Sequence, residues 1–477
     1  MATRTYDVIV IGAGPTGENV ADRAVRGGLS AVVVEAELVG GECSYWACMP
    51  SKALLRSPQA LAAAQAVGGA RQGAVGPLDV AATLARRDAF ASHWKDDGQV
   101  RWLDGAHIDL VRGHGRLTGE RQVAVTAADG SIVELTARHA VVIATGTRAA
   151  LPPIPGLTDV RPWTSRAATS ATAAPRRLLI LGGGVVACEM ATAWRALGTA
   201  EVTVLQRAAR LIPGTEPFAG EMLAASFEAK GIAVRLNTET TRAARRTDGS
   251  VEVALADGTM LVADELLVAT GRTPSTDDLG LDTVGLKPGS WLAVDASQRV
   301  TVVAGGWLYA AGDVNHRALL THMGKYQARV CGDVIAARAT GKPDTSATAW
   351  SKHADSADER AVPQVIFTDP EIAAVGLSEA DARRLGLRVR AVDYDIGHVA
   401  GASLYADGYV GRARMVVDED RRVIVGVTLV GPAVGEMIHA ATIAVVGEVP
   451  LERLWHAVPS YPTIGELWLR LLETYGL

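Results

Sequence analysis

Two segments of the chain run as a continuous apolar strand into a glycine-rich turn and then into a helical pattern. They are residues 7–17, DVIVIGAGPTG, and residues 177–189, RLLILGGGVVACE. Each is followed much later by a second apolar strand that ends in glycine, VVIATG at 141–146 and LLVATG at 266–271. A strand–turn–helix with a later strand, present twice, is typical of two Rossmann units. The pattern therefore predicts an α/β fold with an internal duplication.

The last third of the chain follows a different pattern. Residues 363–377, 409–418 and 423–432 alternate apolar and polar positions, as antiparallel strands do, and a helical segment follows at 435–448. Residues 340–362 are polar, have no period and predict a linker or surface loop. We therefore expect a separate C-terminal α+β domain.

Composition narrows the class of protein without naming a function. The 477 residues are 48% hydrophobic and 21% charged, which is typical of a globular protein, and the net charge of -5 argues against a nucleic acid partner. No apolar run reaches the roughly 18 residues that a membrane span needs, so no membrane association is expected. The 4 cysteines are too few for a disulfide scaffold and favour a cytoplasmic location.

The first glycine turn has the spacing of a dinucleotide-binding fingerprint. Its residues are Gly12, Gly14 and Gly17. Such glycines permit a tight turn and let backbone N–H groups reach a pyrophosphate at the helix N-terminus. Glu35 ends the next strand, where an acid accepts a ribose hydroxyl. Gly146, at the end of the later strand, is expected to approach the same cofactor.

The second turn repeats the fingerprint with a change in its acidic partner. Its residues are Gly182, Gly184 and Ala187, with Gly271 ending the later strand. Gln206 stands where an acid would accept the ribose 2′-OH, and Arg207 and Arg210 follow it. An acid repels a 2′-phosphate whereas arginine pairs with it, so this site is predicted to prefer NADP, with NAD possible. The alternative is that both arginines are solvated surface charges.

Cys43 and Cys48 form the most informative pair of side chains. Residues five apart in a regular helix have Cα atoms roughly 8–9 Å apart, whereas a disulfide tolerates at most about 7 Å. Cys43 is therefore expected on a turn before a helix, with Gly40 and Gly41 permitting that turn. The alternatives are two buried apolar thiols or a zinc site, although no other cysteine or histidine cluster has ligand spacing, and no metal is predicted.

Together these segments resemble the class I pyridine nucleotide-disulfide oxidoreductases, the family of dihydrolipoamide dehydrogenase, glutathione reductase and mercuric reductase. The resemblance spans nearly the whole chain. Besides both fingerprints, it rests on GGECSYWACMPSK (40–52), ATGTRAALPPIPG (144–156), ATGRTP (269–274), YAAGD (309–313), FTDPEIAAVG (367–376) and GPAVGEMIHA (431–440).

The resemblance implies a role for each candidate side chain. FAD occupies the first fingerprint and is contacted by Asp313, while NADP or NAD occupies the second. Cys48 faces the flavin and Cys43 exchanges with substrate. Lys52 and Glu189 match an ion pair near the flavin, where a buried cation stabilises developing negative charge.

The resemblance also implies a domain order. The ranges are 1–155 and 277–345 for the two parts of an FAD domain, 156–276 for an NAD(P) domain and 346–477 for a dimerisation domain. The family dimerises through the last domain, so the active site of a homodimer would be completed by the other subunit, through Tyr461 and Glu466.

One position departs from the family pattern. Disulfide-reducing members carry HPTxxE near the C-terminus, and this chain has YPTIGE at 461–466, so Tyr461 replaces the histidine while Glu466 remains. A phenol, with a pKa near about 10, donates a proton but is a poor base at pH 7. Exchange with a dithiol is therefore expected to be slow. His456 is the alternative base, although a helix-end or packing role is favoured for it.

The sequence thus predicts an enzyme that passes electrons from NADPH through FAD to Cys43–Cys48 and on to a small disulfide or other small-molecule electron acceptor. The first alternative is direct reduction of a quinone by the flavin. The bulky Tyr45 and Trp46 would then shape the substrate face, although simple packing under the flavin is the other interpretation of these two residues. The second alternative is mercuric reduction. Mercuric reductases share the tyrosine, but the C-terminal cysteine pair of that group is missing here. The third alternative is a redox-switched binding protein.

Overall fold

The structure, a computed structural model, describes residues 3–341 and 347–477. These residues form two compact units. Unit 1 lies within Met1–Met49, Asp88–Arg148 and Arg272–Glu359, and unit 2 within Pro50–Arg87, Ala149–Gly271 and Arg360–Leu477.

The strands, in chain order, are β1 (Thr3–Ile11), β2 (Ala31–Glu35), β3 (Asp109–Arg112), β4 (His114–Gly119), β5 (Gln122–Thr126), β6 (Ile132–Ile143), β7 (Thr147–Ala149), β8 (Arg177–Leu181), β9 (Glu201–Leu205), β10 (Ile232–Arg235), β11 (Thr240–Arg245), β12 (Val251–Leu255), β13 (Met260–Ala263), β14 (Glu265–Val268), β15 (Arg272–Pro274), β16 (Leu308–Ala310), β17 (Pro363–Ile366), β18 (Glu371–Gly376), β19 (Val389–Asp395), β20 (Arg412–Asp418) and β21 (Val423–Gly431).

The α-helices are α1 (Pro15–Arg26), α2 (Gly41–Tyr45), α3 (Cys48–Gln65), α4 (Ala70–Gly73), α5 (Val80–Phe90), α6 (Asp97–Gly105), α7 (Leu157–Val160), α8 (Ser165–Ser170), α9 (Val185–Ala196), α10 (Pro217–Ala229), α11 (Thr321–Ala339), α12 (Ala357–Arg360), α13 (Glu379–Arg384), α14 (Ala400–Tyr405), α15 (Ile438–Val446), α16 (Leu451–Leu454) and α17 (Leu467–Tyr475). None of these helices is both long enough and apolar enough to cross a membrane.

Unit 1 is built on one sheet in the order β3-β2-β1-β6-β5-β4, with β16 paired to the end of β6. Strands β1, β2, β3 and the end of β6 run parallel, which is why β1 and β2 read as continuous apolar runs. Val8 and Val10 pack on one face with α1 and α11, while Ile9 and Ile11 pack on the other face with the β4–β5 hairpin. Both faces of the central strands are therefore buried.

Unit 2 repeats this arrangement in a smaller parallel sheet, β10-β9-β8-β14. Leu178 and Ile180 face α9 and α10, and Leu179 and Leu181 face the three-stranded sheet β11-β12-β13. As predicted, each glycine-turn strand pairs in parallel with its later apolar strand, β1 with β6 and β8 with β14. The predicted duplication is confirmed.

The C-terminal part of unit 2 is an antiparallel sheet in the order β17-β18-β21-β20-β19. Burial alternates over residues 412–415 of β20, whereas β18 and the rest of β20 bury consecutive residues, and α15 follows where a helix was expected. The predicted α+β character of this part is confirmed.

The segment predicted as a linker or surface loop at 340–362 differs from expectation. Within the described part of it, residues 347–350 are exposed as predicted, whereas His353, Asp355 and Asp358 are buried in unit 1. Polarity suggested exposure, but hydrogen bonds to distant side chains hold these groups in the interior. Residues 342–346, with the predicted domain boundary at 345, lie outside the described residues.

Candidate active site

The first fingerprint turn in unit 1 leaves no room for larger side chains at two of its glycines. Gly12 has φ +101°, and a Cβ on it would lie 2.5 Å from the carbonyl oxygen of Ala144. A Cβ on Gly17 would lie 1.9 Å from the carbonyl oxygen of Gly12. The turn therefore brings β1, α1 and β6 closer together than any alanine would permit.

The second fingerprint turn in unit 2 has the same geometry. Gly182 has φ +109°, and a Cβ on it would lie 2.3 Å from the carbonyl oxygen of Ala269. Ala187 is completely buried in α9 against β8, so the third fingerprint position is used for packing. A Cβ on Gly184 would meet only open space, as a close backbone approach by a ligand requires.

Polar atoms at the carboxyl edge of the unit 1 sheet suit a dinucleotide such as FAD. Glu35 accepts a hydrogen bond from Ala13 N at 2.7 Å and another backbone N–H at 2.8 Å, which leaves acceptor capacity for a ribose hydroxyl. Among the described residues, Thr145 Oγ1 and Glu18 Oε1 are buried without a hydrogen-bond partner. Burial raises the pKa of Glu18 to about 7, so its carboxyl is partly protonated at neutral pH. Gly146, beside Thr145, has open space at its Cβ position.

Asp313 is held at the same unit by a chain of hydrogen bonds that the sequence did not reveal. Thr147 Oγ1 donates to Asp313 Oδ2 at 2.7 Å, and Arg272 Nε donates to Thr147 Oγ1 at 2.5 Å. Burial raises the pKa of Asp313. The hydrogen bond from Thr147 holds the Asp313 carboxylate in place through Oδ2. Its other oxygen, Oδ1, is then available to accept from a hydroxyl group of a ligand.

The candidate 2′-phosphate residues follow β9 in unit 2. Gln206 turns inward, where its Nε2 donates to the carbonyl of Arg210 at 3.2 Å. Arg207 is exposed and makes no hydrogen bond or ion pair with the described residues. Arg210 donates to the carbonyl of Pro213 at 2.9 Å. Its Nε is buried and has no hydrogen-bond partner among the described residues. Gly271, at the end of β14, has open space at its Cβ position.

The cysteine segment packs directly on the first fingerprint turn within unit 1. Gly40 N donates to the carbonyl of Ala13 at 2.7 Å, and a Cβ on Gly41 would lie 2.9 Å from Gly14 Cα. Gly40 and Gly41 both have positive φ, 109° and 56°. Only glycine permits this close contact of two backbones, which brings the dithiol next to the dinucleotide fingerprint.

Cys43 and Cys48 lie in two different helices, as their spacing requires. Cys43 is in the single-turn helix α2 rather than on a turn, and Cys48 begins α3. Both thiols are free, and the Cys43 thiol hydrogen-bonds to that of Cys48. That hydrogen bond, burial and the neighbouring sulfur all raise the pKa of Cys43, while Thr321, whose Oγ1 lies 3.2 Å from Cys48 Sγ, acts in the opposite direction.

Tyr45 is a core residue of unit 1 rather than part of a substrate face. Its ring is completely buried, its hydroxyl donates to the carbonyl of Val39 at 2.9 Å, and its edge packs on Trp46 with 5.7 Å between ring centroids. Trp94 Nε1 donates to the Tyr45 carbonyl at 3.1 Å. The two aromatic residues between the cysteines therefore fix the path of α2, and Trp46 alone remains partly exposed.

Lys52 and Glu189 form an ion pair within unit 2, as the resemblance implied. Lys52 Nζ lies 2.7 Å from Glu189 Oε2 and 3.0 Å from Oε1. Glu189 is only 3% exposed and also accepts from Phe367 N at 3.0 Å. Lys52 Nζ lies 4.9 Å from the centre of the Phe367 ring. A carboxylate this buried needs both donors. The segment 367–376 was part of the resemblance, but the sequence indicated no role for Phe367 itself.

Two further cysteines and His456 are the remaining thiols and the alternative base. Cys188 and Cys331 are completely buried, and burial raises the pKa of both thiols. Both are core residues. His456 follows α16 and is exposed, so it has no packing role. Among the described residues no group of three His, Cys, Asp or Glu side chains is arranged to hold a metal.

Tyr461 and Glu466 differ sharply in environment within unit 2. Tyr461 is 75% exposed and makes no hydrogen bond with the described residues. Glu466 is buried, accepts from Arg470 at 2.5 Å, and has a second oxygen, Oε2, without a partner in the described part of the chain. Tyr461 thus offers an exposed phenol, and Glu466, five residues later, a buried carboxylate with one oxygen free of partners among the described residues.

Sequence comparison assigns both parts of the chain. Residues 6–341 match the family described as pyridine nucleotide-disulphide oxidoreductase, and residues 362–471 match the dimerisation domain of the same family. Dihydrolipoyl dehydrogenase 3 of Pseudomonas aeruginosa is 35% identical over 475 residues, covering 97% of this chain and 96% of that protein. Mercuric reductase of Shigella flexneri is 32% identical over 468 residues, covering 96% of this chain and 79% of that protein.

Solved structures agree on the fold. LpdA from Mycobacterium tuberculosis superposes with a TM-score of 0.83 at 24% identity, covering 98% of this chain and 100% of the other. The Cu(II) complex of the HOCl-induced flavoprotein disulfide reductase RclA from Escherichia coli gives a TM-score of 0.83 at 22% identity, covering 98% and 99%.

Proposed function

Because this chain belongs to the pyridine nucleotide-disulphide oxidoreductases, an FAD-dependent enzyme family, we propose that it carries electrons from NADPH to the Cys43–Cys48 pair and on to a small disulfide. The observation that carries the proposal is the contact between the cysteine segment and the first fingerprint, through Gly40 and Gly41. It sets a dithiol beside the turn that suits FAD, and no second function explains that contact as well.

FAD, when bound, accepts a hydride from a nicotinamide and passes the electron pair to a neighbouring disulfide. The rest is done by the chain. The Cys43–Cys48 bond takes up two electrons and two protons and becomes a dithiol. Cys43, as thiolate, then attacks one sulfur of the substrate disulfide and releases the first substrate thiol. Cys48 attacks Cys43 in turn, which releases the second thiol and restores the disulfide.

Proton transfer is the step for which this site is least equipped. Since the raised pKa of Cys43 keeps its thiol protonated, exchange needs a base. We place Tyr461 of a second copy at this step, in a homodimer formed through the dimerisation domain. Its exposure supports a role at such an interface, but a phenol returns protons better than it removes them. We therefore expect a slow disulfide reductase, or one whose substrate disulfide joins unusually acidic thiols, which leave faster.

Two finer assignments complete the proposal. We retain the four domain ranges given above, with FAD at the first fingerprint and NADP at the second. We also propose a cytoplasmic location, since the two buried free cysteines, Cys188 and Cys331, are typical of a reducing compartment.

An anaerobic titration of the flavoprotein with NADPH tests the proposal. We expect the first two electrons to produce a long-wavelength charge-transfer band between a thiolate and the flavin, with further NADPH needed to bleach the flavin. Direct bleaching by two electrons, with no such band, would show that Cys43 and Cys48 stand outside the electron path. The quinone alternative would then be preferred, although the buried position of Tyr45 removes half of the aromatic face on which it relied.

NADPH preference is expected to depend on Arg207. Arg207→Ala should lower kcat/KM for NADPH by about 10- to 100-fold, because a hydrogen bond between charged groups is lost, and should leave kcat/KM for NADH unchanged. Arg242→Ala, at an exposed arginine of β11 in the same unit, is the matched control. Equal wild-type kcat/KM for the two nucleotides would contradict the preference for NADPH.

A further inference from the structure

A fully buried glutamine holds the turn that precedes Asp313. Gln327, in α11, accepts through Oε1 from Gly312 N at 2.7 Å and from Asn315 Nδ2 at 2.8 Å. Gly312 has φ +82°, and a Cβ on it would lie 2.7 Å from Thr16 Oγ1, so no other residue fits there. The conformation of the Gly312–Asp313 turn is therefore fixed by a side chain and not by its own strand.

The amide nitrogen of Gln327 bonds to a second buried segment, the one that contains Asp355 and Asp358. Gln327 Nε2 donates to Asp358 Oδ2 at 2.7 Å, and Asp358 N donates to the carbonyl of Asp355 at 2.9 Å. Asp355 accepts in turn from Gln298 Nε2 and pairs with Arg317. Since Gln327 uses its oxygen on the turn and its nitrogen on Asp358, movement at one end must disturb the other.

Charge is unbalanced in this cluster. Two buried carboxyl groups, Asp355 and Asp358, share one cation, Arg317, which pairs with Asp355. Burial, followed by the charge of Asp355, raises the pKa of Asp358 to about 7, while the hydrogen bond from Gln327 and the charge of Arg317 oppose this rise. Tyr326, whose hydroxyl donates to the Ala354 carbonyl, also faces the pair, and His353 is buried two residues before Asp355. Asp358 Oδ1 is buried without a partner among the described residues.

We propose that Asp358, acting through Gln327, positions the Gly312–Asp313 turn, so that FAD binds more tightly when Asp358 carries a proton than when it is charged. The inference rests on the proposed function only in taking Asp313 as an FAD contact. Protonated Asp358 keeps the hydrogen bond that its Oδ2 accepts from Gln327 and removes the repulsion between two buried carboxylates that share Arg317. Charged Asp358 leaves an unpaired oxygen facing a second carboxylate, an arrangement that favours displacement of the segment and of Gln327 with it.

The sign of the pH dependence follows. If the protonated form binds FAD more tightly, bound FAD raises the proton affinity of Asp358, and FAD affinity must fall as pH rises through the range near 7. Serial dilution of the holoenzyme, with free FAD read by its fluorescence, gives the dissociation constant at each pH. We expect it to rise about tenfold from pH 6 to pH 8.5, which corresponds to a tenfold difference in proton affinity between the two states.

Asp358→Asn keeps the size of the acid and the hydrogen bond accepted from Gln327 but cannot ionise. We expect it to hold FAD at pH 8.5 as tightly as wild type does at pH 6, with a flat profile. Asp104→Asn, the same change at an exposed position of α6, is the matched control and should keep the wild-type profile. A wild-type slope in Asp358→Asn would assign the pH dependence to another group and overturn the inference.

Gln327→Leu tests the connection itself. It leaves Gly312 N without its acceptor, so the FAD dissociation constant should rise about tenfold or more at pH 6, with little further change at pH 8.5. Gln122→Leu, at an exposed position of β5, is the control. Unchanged FAD binding in Gln327→Leu would also overturn the inference, whereas failure of the wild-type chain to hold FAD at all would overturn the proposed function instead.

Discussion

Cys48→Ser is expected to abolish NADPH-dependent reduction of a disulfide while FAD stays bound. A serine oxygen cannot form the internal disulfide, so the electron pair delivered to the site has no sulfur bond to enter. Loss of an obligatory nucleophile costs on the order of 10³-fold or more in kcat. FAD retention is expected because the fingerprint contacts come from Gly40 and Gly41, not from the thiols. Disulfide turnover and the visible spectrum of the purified variant are the measurements.

The control for this variant is Cys331→Ser. It makes the same chemical change at a completely buried cysteine of the same unit, where the new hydroxyl costs stability but touches no electron path. Its turnover per bound FAD should equal that of wild type. Disulfide reduction that survives in Cys48→Ser would show that electrons leave the flavin directly, and quinone turnover that persists in Cys43→Ser would indicate the same route.

The fold was largely predictable because its signals are local and repeated. The apolar runs of β1 and β8 enter glycine turns whose positive φ no other residue supports, and the later strands beside them repeat the pattern. The interruption between Cys43 and Cys48 was also predictable, since it follows from helix geometry alone. These are properties of neighbouring residues, which sequence patterns record.

Contacts between distant segments were not predictable in the same way. Thr147 and Arg272 are 125 residues apart, and only the folded chain brings their hydrogen bond to Asp313. The sequence placed Asp355 and Asp358 on the surface because charged side chains are usually exposed. In the folded chain both are buried and accept hydrogen bonds, from Gln298 and Gln327 respectively. The ion pair of Lys52 with Glu189, 137 residues away, was found by family resemblance alone.

Lys52→Met is expected to cause the largest loss of stability among single substitutions at the site. It leaves the Glu189 carboxylate, 3% exposed, with Phe367 N as its remaining donor. Breaking a buried pair from one side costs about 3 kcal/mol, at the lower end of the usual range because the Lys52 side chain is 35% exposed. For a unit of this size that lowers the melting midpoint by roughly 6 °C or more. Lys95→Met, at an exposed lysine, should melt as wild type does.

A double substitution separates loss of the pair from loss of packing. Glu189→Gln keeps an acceptor for Phe367 N and removes the charge, so Lys52→Met combined with Glu189→Gln leaves no buried carboxylate to compensate. The double variant should therefore be more stable than Lys52→Met alone, by about 1 kcal/mol or more. Destabilisations that simply add would mean that Lys52 acts through its contact with the Phe367 ring. In that case the ion pair would be no more than a by-product of how α3 and α9 pack.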